Sequence, residues 1–464
     1  MTEPLAKSRA LIPELLSLAA PTVAQMISYT LMQFVDTWML ARRGPLPATA
    51  GSNSGMMAYS FLSLGIGVLW IVNTLASQSF GRKEYHQCGA YLWQGVWFSF
   101  AYAVCLLPLL LLAHRLFIAF GHEPTLATWE ATYFRISLAG AILKLLGTAF
   151  GQFLLAIDKP KSVLLASVCG VSLDALGAWA LIFGRLGFHA MGVAGSAWAT
   201  NIGVAVETTV LIFIALSPSV RLRFGLKSWK IHRAEMAQLL KIGLPSGVQA
   251  IADILAWSLF CNWVIGAVGP MAMAANAFML RYMVVSFMPA IGMSVAVTAL
   301  VGRSIGRGQI DSARRAAHWG YALTGAYQAL CGVCFFVGRR TLLTVFTHDP
   351  AVLQVGETYM IFGAIYQLFD ALFINYNGAL RGAGDTIVPA VITATLNWSI
   401  NLAGGYLVAR HVPQLGPAGP WIIATIYGAI VGVVMLGRFL RGNWTKITLH
   451  APVPVEPAMN VPPF

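Results

Sequence analysis

Four aspartates, Asp36, Asp174, Asp253 and Asp370, each stand inside a long apolar run of this sequence. An ionised carboxylate in such a setting costs several kcal/mol unless it is hydrated, paired or protonated. Asp36 lies within Met32-Gln33-Phe34-Val35-Asp36-Thr37-Trp38, and Asp174 follows Val171-Ser172-Leu173. Asp253 is eight residues beyond Pro245, and Asp370 follows Tyr366-Gln367-Leu368-Phe369. Two chemistries suit carboxyl groups held in a low dielectric. They can take up and release protons near neutral pH, or they can ligate Na+ beside hydroxyl, amide and backbone oxygens. The candidate Na+ pairs are Asp36 with Asp174, or Asp253 with Asp370. One such acid could be a packing hydrogen bond, but four spread over both halves point to ion handling. Asn397 and Asn401 occupy the second-half counterpart of the region around Gly170 and Asp174, so one repeat region is acidic in one half and neutral in the other.

Glu207 and Glu357 also sit in or near apolar runs, and Arg135, Lys144 and Arg281 are the bases available to pair with intramembrane acids. Tyr29, Trp257, Phe278, Tyr282, Phe287, Tyr366 and Tyr376 are candidate cavity-lining aromatics. With the acids, such a surface suits lipophilic cations through apolar contact, cation–π attraction and charge. Other chemistries find less support. The nine histidines are scattered and form no close cluster with acids, so an embedded metalloenzyme is not indicated and no cofactor is expected. Cys331-Gly-Val-Cys334 has redox or zinc spacing, yet in an apolar segment without nearby histidine it reads as small packing residues. Arg381-Gly-Ala-Gly-Asp385 is glycine-rich but lacks the strand and helix of a phosphate-binding loop, and reads as a tight turn.

The elements that must position these residues are transmembrane helices. Of 464 residues, 58% are apolar and only 10% are Asp, Glu, Lys or Arg, against roughly a quarter charged in soluble proteins. Hydrocarbon as solvent explains the deficit. Twelve spans are expected near 12–40, 55–79, 91–117, 130–155, 161–184, 192–217, 240–268, 273–302, 317–345, 353–380, 386–409 and 417–440. Each exceeds or approaches the ~20 residues that cross a bilayer. Lys7 and Arg9 precede a first apolar segment with no small-residue cleavage pattern, so that segment reads as a retained helix. The net charge of +13 reflects topology rather than nucleic-acid binding, because the basic residues punctuate the spans. Counted by side, Lys and Arg number twenty against seven, which places both termini in the cytoplasm.

The halves repeat at a spacing of about 224 residues: Pro21 with Pro245, Thr74 to Arg82 with Thr298 to Arg307, and Gly192 to Thr200 with Gly416 to Thr425. Each unit holds an even number of spans, so the copies insert in the same sense. That is the parallel-repeat plan of an alternating-access carrier with a cavity between two bundles. The expected organisation is a six-helix lobe at 1–217, a cytoplasmic linker at 218–239, a second six-helix lobe at 240–445 and a cytoplasmic tail at 446–464.

An ordered set of stretches resembles the multidrug and toxic compound extrusion (MATE) family, prokaryotic type, over roughly 12 to 445. They are Pro21 with Val35-Asp36-Thr37, the Gln78 to Arg82 turn, Gly192-Val-Ala-Gly195, Gly243-Leu-Pro245, Pro289-Ala-Ile-Gly292 and Gly378 to Thr386. The resemblance implies a V-shaped, all-α, polytopic fold of two lobes, and a secondary antiporter that exports organic cations and other amphiphiles in exchange for H+ or Na+. Asp36 looks like the family's first-helix coupling acid. Asp253 stands where one bacterial branch carries glutamate, Asp370 resembles that branch's tenth-helix acid, and Asp174 resembles the fifth-helix acid of another prokaryotic branch. The bacterial inner membrane is the implied location, and a monomer suffices for the cycle. A lipid or lipid-linked oligosaccharide flippase of the same two-lobed fold is the main transport alternative, although its polyanionic substrates call for a more basic cavity. A channel is disfavoured by the repeated lobes.

Overall fold

The computed structural model describes residues 3–447 and 449; the side chains of residues 3–11, with Lys7 and Arg9, and all but Lys446, Ile447 and Leu449 of the expected tail lie outside the described residues. Among the described residues the chain is helical throughout, with no strand. The first half contains α1 (Glu3–Ala41), α2 (Pro45–Gly81), α3 (Tyr85–Ala119), α4 (Pro124–Ala139), α5 (Ala141–Ala156), α6 (Pro160–Phe183) and α7 (Val193–Ala215). The short α8 (Pro218–Arg223) falls in the expected linker. The second half contains α9 (Arg233–Leu259), which runs through a π-helical turn into α10 (Ile265–Val268), then α11 (Pro270–Gly306), α12 (Ile310–Thr344) and α13 (Pro350–Gly382). It ends with α14 (Ile387–Leu396), a π-helical stretch at Asn397–Gly404, α15 (Gly405–His411) and α16 (Ala418–Leu440).

These helices fill the twelve expected spans. Among the described residues, ten continuous stretches are long and apolar enough to cross a membrane. An eleventh crossing is the bent pair α4 and α5, which meet at 44°. The bend sits at Gly140, where an added Cβ would come within 2.2 Å of Asn201 Oδ1. The Asn201 amide donates to Ile136 O at 2.6 Å, satisfying a carbonyl beside the break as a hydrocarbon setting demands. The twelfth is α13, long enough to cross but interrupted by Gln367, Asp370, Asn375 and Asn377. Gln367, Asp370 and Asn375 are buried, so much of the helix's polarity faces protein rather than lipid.

Glycine followed by proline starts the second span of each half. Gly44 (φ +127°) precedes Pro45, and Gly269 (φ +129°) precedes Pro270. The positive φ turns the chain, and proline at the first helical position loses no hydrogen bond. Twelve crossings put the start of α1 and the end of α16 on one face of the molecule, called here the terminal face. The two six-helix lobes form a V and meet through α1 with α11 and α2 with α9. Their backbones approach closely at Gly81–Gly306 near the terminal face and again at Gly67–Gly247. Thr22 donates to Gly292 O at 2.8 Å across the same seam.

Two further sets of contacts stitch the lobes at the terminal face. Thr74 and Gln78 of α2 donate to the carbonyls of Arg381 and Gly382, each at 2.9 Å. Reciprocally, the buried Arg303 of α11 donates to the carbonyls of Leu155 and Ala156 at 2.8 and 3.1 Å and to Asp158 at 3.0 Å. Each lobe therefore holds the carbonyl end of a helix in the other.

Candidate functional site

In the first lobe α1, α6 and α7 carry Asp36, Asp174 and Thr200 to one place. The approach depends on a glycine in α7: an added Cβ at Gly203 would sit 2.7 Å from Asp174 Cβ. With no side chain there, α6 lies directly on α7 and Asp174 is completely buried, while Asp36 retains 9% exposure. The two carboxylates interact with each other, and Thr200 lies beside both. The Thr200 hydroxyl donates to Asp36 Oδ2 at a long 3.4 Å. Among the described residues, Asp36 Oδ1 and both Asp174 oxygens have no hydrogen-bond partner. Tyr133 of α4 also interacts with this pair, with Thr200 and with Ser196. Two facing carboxyl groups with free lone pairs, beside hydroxyls, form an oxygen-donor set suited to a shared proton or a hard cation.

A second polar group lies in the same lobe. The Tyr29 hydroxyl of α1 donates to Glu207 Oε1 of α7, and Gln25 donates to Tyr29 at 3.1 Å. Lys144 of α5 sits over the Tyr29 ring, 5.1 Å from its centroid. Of the three bases named from the sequence, Lys144 thus meets the acids' surroundings. Arg135 is turned away, donating to Leu110 O at 3.0 Å.

In the second lobe the acids are separately capped by amides. Asp253 of α9 accepts from Asn397 Nδ2 at 3.0 Å, and Asn401 Nδ2 donates to Asn397 Oδ1, also at 3.0 Å. Both asparagines are fully buried and lie in the π-helical stretch. π-Helical bulges of this kind recur at functional sites. Asp370 of α13 accepts from Gln328 Nε2 of α12 at 3.1 Å. Tyr366 and Tyr427 lie close enough to interact with both Asp253 and Asp370. Gln367 donates instead to Ser286 at 2.6 Å.

The expected lining aromatics divide by environment. Trp257 packs edge-on against Phe260 and Tyr366 inside the second lobe. Phe278 stacks on Phe346 at 5.0 Å, and Tyr282 donates to Leu342 O at 2.8 Å. Phe287 is 37% exposed and Tyr366 7%. Tyr376, only 1% exposed, is a core residue against Phe439 and His318 rather than an open lining residue. Its buried hydroxyl is satisfied by the histidine. Glu357 lies within ion-pair distance of Arg339 and Arg340 at 4.0 and 3.7 Å, away from the polar centres. The six cysteines, Cys331 and Cys334 included, are free.

Sequence reasoning did not select Thr200, Ser196, Tyr133, Gln328 or Tyr427. Thr200 stood within a repeated motif, and Gln328, an amide in an apolar run, was a usable signal. Tyr133 and Tyr427 had no local mark distinguishing them from interfacial tyrosines.

These features define a class: an all-α, multi-pass membrane transporter built from two lobes, each with an acidic polar centre. The comparisons specify it further. The MatE family model matches residues 21–180 and 245–407, once in each half. The chain belongs to that family of transporters and is not an enzyme. A probable multidrug resistance protein NorM of Mesorhizobium japonicum is 29% identical over 446 residues, covering 92% of this chain and 93% of its own. The multidrug resistance protein NorM of Burkholderia vietnamiensis is 28% identical, covering 91% and 92%. In fold, the chain matches an outward-facing multidrug resistance MATE family transporter with a TM-score of 0.86 at 18% identity, over 94% of this chain and 96% of the other. The eukaryotic MATE transporter AtDTX14 matches with a TM-score of 0.83 at 18% identity, over 95% and 97%.

Proposed function

We propose that this transporter is a secondary antiporter of the bacterial inner membrane, with both termini cytoplasmic, that exports organic cations and other amphiphiles in exchange for H+ or Na+. The observation that carries this reading is the Asp36–Asp174 pair, two facing carboxyl groups with three oxygens free of protein hydrogen bonds. Such oxygens retain their capacity to bind a coupling ion. The names of the multidrug-resistance relatives support the substrate class. The units 1–217 and 240–445 act as the moving lobes, joined by 218–239, with 446–464 as the tail. A single copy is sufficient.

The cycle follows from mutual exclusion. An ion arriving from outside neutralises the acids, weakens their hold on a cationic substrate and promotes its release. The ion-loaded carrier turns inward, releases the ion and accepts a new substrate. Coupling requires that ion and substrate each lower the other's affinity. Asp36 and Asp174 serve the ion, while Asp370 and Asp253, with Asn397 and Asn401, serve the substrate or a second ion.

Proteoliposomes loaded with a fluorescent lipophilic cation test this, with proton and sodium gradients imposed separately. One gradient should drive efflux and thereby name the ion. Driven efflux should fall about 5–150-fold in Asp36→Asn, the range spanned by a coupling energy of 1–3 kcal/mol. If neither gradient drives transport by folded, oriented protein, the antiport reading fails and lipid flipping becomes the reading to pursue.

A further inference from the structure

The ion-coupling assignment leaves two buried acids of the first lobe aside: Glu130, held by Asn53 and His122 at 3.0 and 2.5 Å, and Glu207. Glu207 is 8% exposed and lies on the same helix as Thr200, seven residues further along. The same interval appears on two neighbouring helices: Tyr29 is seven residues before Asp36 on α1, and Ser167 is seven before Asp174 on α6. Seven residues are two helical turns, about 10 Å along the axis. Helices α1 and α6 ascend from the terminal face and α7 descends to it. Tyr29, Ser167 and Glu207 therefore form a lower polar level beneath Asp36, Asp174 and Thr200. The lower level is in contact: Tyr29 donates to Glu207 and also interacts with Gln25 and Ser167. Gly170 allows it, because an added Cβ there would lie 2.9 Å from Glu207 Cβ.

Lys144 reaches both levels. Its ammonium sits over the Tyr29 ring below and interacts electrostatically with Asp174 above. Its backbone is held in place next door, where Thr208 donates to Leu143 O at 2.9 Å. The titratable groups facing Glu207 and its surroundings are Tyr29 and Asp36 from α1, Tyr133 from α4, Lys144 from α5 and Asp174 from α6. Helix α2 adds no titratable side chain except Tyr59, and the arginines of α8 are exposed near the terminal face. With Glu130 paired to His122, the cluster formed by the two levels holds three carboxyl groups, Asp36, Asp174 and Glu207, against one ammonium, Lys144. Fully ionised, it would carry two uncompensated negative charges, a costly arrangement within a bilayer.

We propose that Glu207, with Tyr29 and Lys144, is a second proton-binding station on the cytoplasmic side of the Asp36–Asp174 pair, so that the first lobe carries two protons rather than one. In this step a proton from water forms an O–H bond at the Glu207 carboxylate, and the Lys144 ammonium turns to Asp174. Release to cytoplasmic water reverses both changes. The first proton is shared by Asp36 and Asp174, and the lobe is neutral with both in place. This inference rests on the antiport reading and narrows its ion to the proton for this lobe.

The test is proton release from purified, full-length protein in lightly buffered detergent, followed with a pH indicator as tetraphenylphosphonium is added. That cation has no exchangeable proton, so any proton released comes from the transporter. Glu207→Gln should release about one proton fewer per bound cation than the wild type, Asp36→Asn about one fewer, and the double variant about two fewer. Glu207→Asp keeps a carboxyl group and should restore the wild-type count. Unchanged release in a folded Glu207→Gln protein that still binds the cation would overturn the station while leaving the Asp36 reading intact. No release from the wild type, or full release from Asp36→Asn, would sink the coupling reading itself. If Glu207→Gln does not fold, infrared difference spectra decide. A protonated-carboxyl C=O band lost on cation binding should differ in frequency between wild type and Glu207→Asp, and identical bands would overturn the station.

Discussion

The polar centres of the two lobes use the same residue type in opposite ways. In the first, Asp36 and Asp174 face one another, and three of their four oxygens make no hydrogen bond among the described residues. In the second, Asp253 and Asp370 stand apart, each accepting from an amide of a neighbouring helix. An amide donor satisfies a carboxylate without neutralising it. A carboxyl pair with one long hydroxyl contact, from Thr200, keeps lone pairs open to a proton or cation. The two repeated frames thus hold their acids with different donor sets.

Transport offers the strongest way to break this comparison. Under the proposed cycle, Asp174→Asn should cut gradient-driven efflux by about 5–150-fold, as Asp36→Asn should. Asp370→Asn should mainly weaken substrate affinity, read as a raised half-saturating concentration. Equal loss of driven rate in both lobes, at unchanged affinity, would erase the distinction.

Stability sharpens it next. Gly203→Val should destabilise by about 1–3 kcal/mol, since the added atoms collide with Asp174 and force α6 from α7. The measurement is thermal unfolding in detergent. Asn397→Leu should cost a comparable ~1–3 kcal/mol by leaving the half-buried Asp253 without its donor, and a further Asp253→Leu change should recover part of that loss. Thr200→Val removes a 3.4 Å contact to Asp36 and a 3.1 Å bond to Ser196 O within its own helix, and should cost about 1 kcal/mol or less. A larger loss for Thr200→Val than for Asn397→Leu would show that the first lobe's acids are the better satisfied ones.

The terminal-face seam gives the smallest expected effect. Arg303→Gln removes one charged set of interlobe contacts while Thr74 and Gln78 continue to hold Arg381 and Gly382. Opening at that face should rise severalfold, read as cysteine labelling at nearby positions. Unaltered labelling would assign Arg303 to packing alone.

Much of this was legible in the residues themselves. An apolar run of about 20 residues has one low-energy state in hydrocarbon, a helix that satisfies its own backbone. Span number, the duplicated plan and the intramembrane acids therefore follow from local composition and spacing. Even the polar α13 was readable, because its flanks and its repeat partner frame it. The linkage Glu207–Tyr29 was not, nor was the Asp253–Asn397 bond, which joins residues 144 apart.

What tertiary structure alone decided is which acids meet. Asp174 meets Thr200 because Gly170 and Gly203 let α6 and α7 touch, and Asp36 joins them because α1 packs against α6. Asp253 and Asp370 accept instead from Asn397 and Gln328 on neighbouring helices. Helical periodicity states which residues share a face of their own helix. The rotation and approach of that face toward another helix are set by packing between segments distant in the chain, and no local pattern encodes them.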